Sequence, residues 1–144
     1  MSEEITMKDA IIPLHIIFLS GKSLKGRTRL QKLVFLSQQK AKGKFDYDFE
    51  PAPYGPLSYK LNHTLERMKK LGLVKETTEY TQSGNQVICY NLTKEGIDLL
   101  ELGISKFIDS EIKEANQSVV VQYGGMPYVE FLDYVHNEYP QYVA

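Results

Sequence analysis

The chain has 144 residues, 42% of them hydrophobic and 24% charged, with a formal net charge of −1. That length suits one domain or a small domain with an appendage, and the composition is globular, neither disordered nor collagen-like. The single cysteine, Cys89, excludes an intrachain disulfide framework and a multi-cysteine zinc site, and the longest apolar run, Ile11 to Leu19, is nine residues with Pro13 and His15 inside it, too short to cross a membrane.

The acidic opening, Met1-Ser2-Glu3-Glu4, lacks the positive segment of a secretory signal, so a cytoplasmic location is expected. Thr6 and Asp9 suit the start of a helix, through a side-chain cap and a favourable charge at the positive end of its dipole. Ala10 to Leu19 is apolar nearly all round, which predicts a core helix, with Pro13 removing one donor and Gly21 ending it. Gly26 is read as part of a short basic loop. From Arg27 to about Ala41, Leu30, Leu33, Val34 and Ser37 mark one helical face, widened by Phe35 and Leu36; Arg27, Gln31, Lys32, Gln38 and Gln39 fall outside it. Phe45 to Phe49 alternates apolar and acidic residues, the pattern of a short strand. Pro56 suits a first helical turn, and Leu57, Leu61, Leu65, Met68 and Leu71 follow at spacings of three and four up to Gly72.

Leu73 to Thr78 and Gln86 to Leu92 read as strands joined at Ser83-Gly84-Asn85. Thr93 can cap a helix running to about Leu102, with Ile97, Leu100 and Ile104 inward. Glu111 to Ser118 fits either a helix or a linker. Gly124-Gly125 breaks the chain, and Pro127 starts a last helix with Val129, Leu132, Val135 and Tyr139 as its stripe, ended by Pro140.

The charge is divided. Residues 1–75 hold 14 Lys and Arg against 7 Asp and Glu, whereas residues 76–144 hold 3 against 11. Lys22 to Lys44 carries eight basic residues and no acid, which points to a polyanionic partner. Helix, helix, short strand, helix, hairpin, helix is the order of a winged helix-turn-helix. The expected fold class is therefore α+β, mostly helical, with a winged-helix domain over residues 1–104 and an added C-terminal helical extension over 105–144 for assembly or packing on the domain.

Arg29-Leu-Gln-Lys-Leu-Val-Phe-Leu36, followed by Phe49-Glu-Pro-Ala-Pro-Tyr-Gly-Pro56, resembles the Panacea domain of SocA-like antitoxins and its uncharacterised winged-helix relatives. Gly72-Leu-Val-Lys-Glu76 and Tyr90-Asn-Leu-Thr-Lys-Glu-Gly96 are similar to the strands and exit helix of PadR- or MarR-type regulators. The resemblance covers about residues 10–100 and implies a winged helix, with toxin neutralisation or operator binding as the family activities.

Duplex DNA is the expected partner, bound by a dimeric transcriptional regulator. Lys22, Lys25, Arg27, Arg29 and Lys32 are the candidate phosphate contacts, since cations near a helix start act together with its dipole. Tyr59, Lys60, Asn62, His63, Arg67 and Lys70 form the candidate recognition surface, hydrogen-bonding side chains at helical spacing. Gln82, Ser83 and Asn85 would tip the wing. Glu66 and the uncharged wing argue for the other reading, a protein-interaction module, antitoxin or adaptor, that does not touch DNA. Five tyrosines in the last 22 residues suit an interface, and a homodimer is expected. No enzyme is expected: His15, His63 and His136 belong to no metal pattern, Cys89 has no evident base, and neither cofactor nor metal is called for.

Overall fold

The computed structural model describes residues 6–144; the acidic opening lies outside them. Thr6 caps α1 (Met7–Leu19), its Oγ1 accepting from the Asp9 amide at 3.1 Å. Every residue from Ala10 to Ile17 is buried, as an all-round apolar helix requires. After Gly21 the chain forms a strand that the sequence reading took for loop, β1 (Ser23–Lys25). Three residues carry no periodic signal, and this strand exists only through a partner far along the chain.

α2 (Arg27–Lys40) is the middle of the molecule. All residues from Leu30 to Ser37 are buried, including Gln31 and Lys32, which the helical face left outside. The segment 45–49 is extended and buries Phe45 and Tyr47 in alternation, but it pairs with no strand. Instead the Gln38 side chain takes both backbone polar groups of Tyr47: Tyr47 N–H donates to Oε1 at 2.7 Å, and Nε2 donates to the Tyr47 carbonyl at 3.1 Å. One amide side chain thus replaces a neighbouring strand.

α3 (Tyr59–Lys70) begins later than Pro56. Leu57 first exchanges backbone hydrogen bonds with Glu50, and Ser58 caps the helix by accepting from Leu61 N–H at 3.1 Å. Its buried face is Leu61, Thr64, Leu65 and Met68; Leu71 is exposed. β2 (Val74–Tyr80) and β3 (Gln86–Leu92) pair in antiparallel register from Val74↔Leu92 to Tyr80↔Gln86. Glu79 and Tyr80, assigned to the loop from sequence, belong to the ladder, so the turn is shorter, Thr81 to Asn85. β1 joins the other side of β3, giving the order β1-β3-β2.

α4 (Lys94–Phe107) is capped by Thr93 and runs about a turn beyond its expected end. Two glycines let it pack closely: a Cβ on Gly96 would sit 2.1 Å from the Leu73 carbonyl oxygen, and one on Gly103 would sit 2.8 Å from Ile11 Cδ1. The ambiguous polar stretch is helical, α5 (Ser110–Tyr123), capped by Asp109 and buried along Ile112, Ala115, Asn116 and Val119. α6 (Tyr128–Glu138) turns Phe131 and Val135 inward, while Val129, placed on the apolar stripe from sequence, is 68% exposed. Phe131 and Val135, four apart, set the buried face, and Val129, two positions before Phe131, falls on the other side of the helix.

The region 105–144 supplies Ile108, Ile112, Ala115, Val119, Phe131 and Val135 to the same core as Ile11, Leu33 and Leu61. Phe35 is ringed edge-on by Phe49, Tyr139 and Tyr142, with centroids 5.2, 4.9 and 4.9 Å away. The final residues run parallel to Ala52, and Ala144 N–H donates to the Ala52 carbonyl at 3.0 Å. The C-terminal tyrosines read as interface residues are thus largely spent inside: Tyr123, Tyr134, Tyr139 and Tyr142 pack against the chain's own core. The described residues form an α+β structure, mostly helical, and none of its helices is long and apolar enough to cross a membrane.

Candidate nucleic-acid interface

Of the five basic residues expected to meet phosphate, Lys22 alone is exposed without an ion pair among the described residues. Lys25 Nζ lies 2.8 Å from Glu79 Oε1 across the sheet, both side chains exposed, and each shifts the other's ionisation towards the charged form. Such a pair at the surface contributes little to stability. Arg27 donates from Nε to the Tyr90 hydroxyl at 2.6 Å and reaches Glu66 and Glu76 at 3.4 and 3.5 Å. Arg29 donates to the carbonyls of Tyr123 and Gly124 at 3.1 and 3.4 Å, with its guanidinium 5.2 Å from the centre of the Phe131 ring.

Lys32 is no phosphate contact. It is 2% exposed, and Nζ donates to the Pro56 carbonyl at 3.1 Å. Burial pulls its pKa down to about 8, because a desolvated ammonium with one carbonyl for company is costly to keep charged. Its neighbour Gln31 also points inward, into the turn before α3.

The outer face of α3 divides similarly. Tyr59, His63 and Lys70 are exposed. Lys60 is engaged with Asp9 at 3.3 Å and lies 5.4 Å from the Tyr47 ring centre. Asn62 is half-buried, and its Oδ1 accepts from Gln31 Nε2 at 2.9 Å, which occupies that acceptor inside the protein. Arg67 is also half-buried. Lys69, missed in the sequence reading, stands 3.7 Å from both Glu66 and Glu76. Arg27 and Lys69 therefore share two carboxylates in a cluster that ties α2, α3 and β2 together. Its sequence signal was the i,i+3 spacing of Glu66 and Lys69.

The hairpin tip is exposed at Gln82, Ser83 and Asn85 and ordered within itself: Asn85 N–H and Asn85 Nδ2 donate to Thr81 Oγ1 and Ser83 Oγ at 3.1 and 3.2 Å. Two hollows flank Arg29. One, about 480 Å³, lies between the end of α1, β1 and the α5–α6 turn. The other, about 730 Å³, lies between the β1–α2 corner and the hairpin, with Tyr54 and Tyr128 in its walls. Neither tyrosine was singled out for this place from sequence, because they belong to segments some 74 residues apart.

Cys89 is buried, and burial pushes its thiol up, away from the reactive thiolate. Among the described residues no three of His, Cys, Asp and Glu gather as a metal site. No protein-family model matches the chain, and no curated protein is significantly similar to it.

Proposed function

We propose that the chain is a winged-helix protein that binds duplex DNA as a homodimeric regulator. The order α1, β1, α2, α3, β2, β3 with a β1-β3-β2 sheet supports that reading. The observation that carries it is the outer surface of α3, with exposed Tyr59, His63 and Lys70, followed in the chain by a two-stranded hairpin that carries exposed Lys75 on the sheet face opposite Glu76. Lys22, Lys70 and Lys75 have no carboxylate partner among the described residues, so these are the cations that phosphate would neutralise. Apolar side chains left in solvent, Val129 and the 83% exposed Val121, give a second copy of the chain somewhere to pack.

A second reading, a protein-interaction module, draws on one specific feature. Arg27 and Lys69 are already neutralised by Glu66 and Glu76 in the middle of the expected DNA surface.

Salt titrations of duplex affinity separate the two. Replacing Lys22, Lys70 and Lys75 with Gln should weaken binding to every duplex and flatten the log–log salt dependence by about one unit per lost contact. Lys32→Met should leave that slope unchanged. Absence of duplex binding at low salt would end the regulator reading and leave the interaction module.

A further inference from the structure

The 730 Å³ hollow beside the hairpin falls within the size range of small-ligand sites. Four separate parts of the chain build it: the cations Lys25, Arg27 and Arg29, the loop residue Tyr54, the hairpin, and Tyr128 at the start of α6. Among the described residues no carboxylate lines it; Glu79, Glu66 and Glu76, the partners of Lys25 and Arg27, are not among its walls. Arg29 has no carboxylate partner among the described residues, only two carbonyls and the Phe131 ring, and burial draws its guanidinium below its ordinary value. Its charge is thus compensated by dipoles and a ring face rather than by a carboxylate, which leaves room for an anion at the hollow. The two tyrosines are 64% and 45% exposed, and neither ring packs on another aromatic ring among the described residues. Asn85 and Gln86 put hydrogen-bonding amides at the hairpin rim. Three cations in one wall, of which Arg29 has no acid partner among the described residues, favour an anion, and open π faces beside them favour a flat ring.

We propose that this hollow is a binding site for a free nucleoside monophosphate, with the phosphate at Arg29 and Lys25 and the base against Tyr128 or Tyr54. Duplex DNA cannot satisfy it, because paired bases keep their faces stacked. The proposal uses neither the outer face of α3 nor duplex affinity, so it stands or falls separately from the function proposed above.

Calorimetric titration of the full chain with the four ribonucleoside 5′-monophosphates, adenosine and inorganic phosphate tests it. At least one monophosphate should bind saturably, and adenosine and phosphate should each bind about tenfold or more weakly, since each keeps only one half of the recognition. The double variant Tyr54→Ala/Tyr128→Ala should lose about tenfold in affinity for the monophosphate, with its melting temperature and its phosphate affinity unchanged, both rings being exposed. Lys25→Gln should weaken phosphate and monophosphate alike. The proposal is overturned if no monophosphate binds at millimolar concentration, if phosphate binds as well as the monophosphates, or if the tyrosine variant binds them as the parent does.

Discussion

Gln31 and Ser58 are joined by two hydrogen bonds: Ser58 N–H donates to Gln31 Oε1, and Gln31 Nε2 donates to the Ser58 carbonyl, both at 2.9 Å and both buried. With Lys32 donating to the Pro56 carbonyl, two adjacent side chains of α2 pin the turn that delivers α3. Gly55 sits at φ 102, a left-handed conformation that favours glycine, and a Cβ there would come within 3.3 Å of Lys32 Cε. The Leu-Gln-Lys-Leu and Tyr-Gly-Pro segments are thus two halves of one clamp, which aims α3.

Breaking the clamp should be costly. Gln31→Ala leaves the Ser58 amide buried without a partner, while the Ser58 carbonyl keeps only the Asn62 N–H at 3.2 Å, a loss of about 1–3 kcal/mol in unfolding free energy. Denaturant midpoints at constant slope measure it, and a loss below about 1 kcal/mol would mean that water replaces the amide.

Lys32 should make stability depend on alkaline pH. Its folded pKa of about 8 lies below the ordinary 10.5, so between those values the unfolded chain holds more protons and stability rises with pH. Between pH 7.5 and 9.5 the gain should be about 1–2 kcal/mol. Lys32→Met should remove this rise, as read by thermal melts at the two pH values.

His15 acts at the other end of the scale. It is buried in α1, where Asn116 Nδ2 donates to its Nδ1 at 2.8 Å and Ser37 Oγ donates to Asn116 Oδ1 at 2.5 Å. Burial first, then the charge of Lys113, lowers its pKa to about 4 from the ordinary 6.5. The folded state resists protonation, so its contribution is intact above pH 6.5 and is lost as pH falls towards 4. At pH 5 the loss should be about 1–2 kcal/mol. His15→Gln, which can still accept from Asn116, should show a shallower loss in the same window by chemical denaturation.

Gly96→Ala tests the seat of α4. The added methyl meets the Leu73 carbonyl oxygen at 2.1 Å, a backbone atom that cannot rotate away. Helix propensity alone would favour alanine by about 1 kcal/mol. Overpacking should outweigh it, for a net destabilisation of about 1–3 kcal/mol in equilibrium unfolding. A stabilised variant would show that α4 can slide off the sheet at no cost.

Where a feature depends on neighbours within a few residues, the sequence was a good guide. The caps at Thr6 and Thr93 reach three residues ahead. The β2–β3 hairpin is closed by its own turn, and exposure of Tyr59, His63 and Lys70 follows from the phase of α3. α2 misled because it has almost no solvent face. The helices α1 and α5 and the turn before α3 surround it, so Gln31 and Lys32 find polar partners inside. Strand β1 was invisible because its signal is a partner, Cys89 to Asn91, more than 60 residues away.

The amino-acid pattern by itself determined five of the six α-helices among the described residues, the hairpin, the core character of α1 and the concentration of positive charge before residue 75, and left α5 open. Those properties arise from hydrogen bonds and periodicities that close within a turn or a strand pair. Tertiary structure alone decided what each cation can do. Lys32 became a buried clamp, Arg27 part of a shared cluster with Lys69, and Arg29 a charge held by carbonyls at the end of α5. The availability of a charge depends on desolvation and on partners within a few ångströms, and the fold draws those partners from up to 95 residues along the chain.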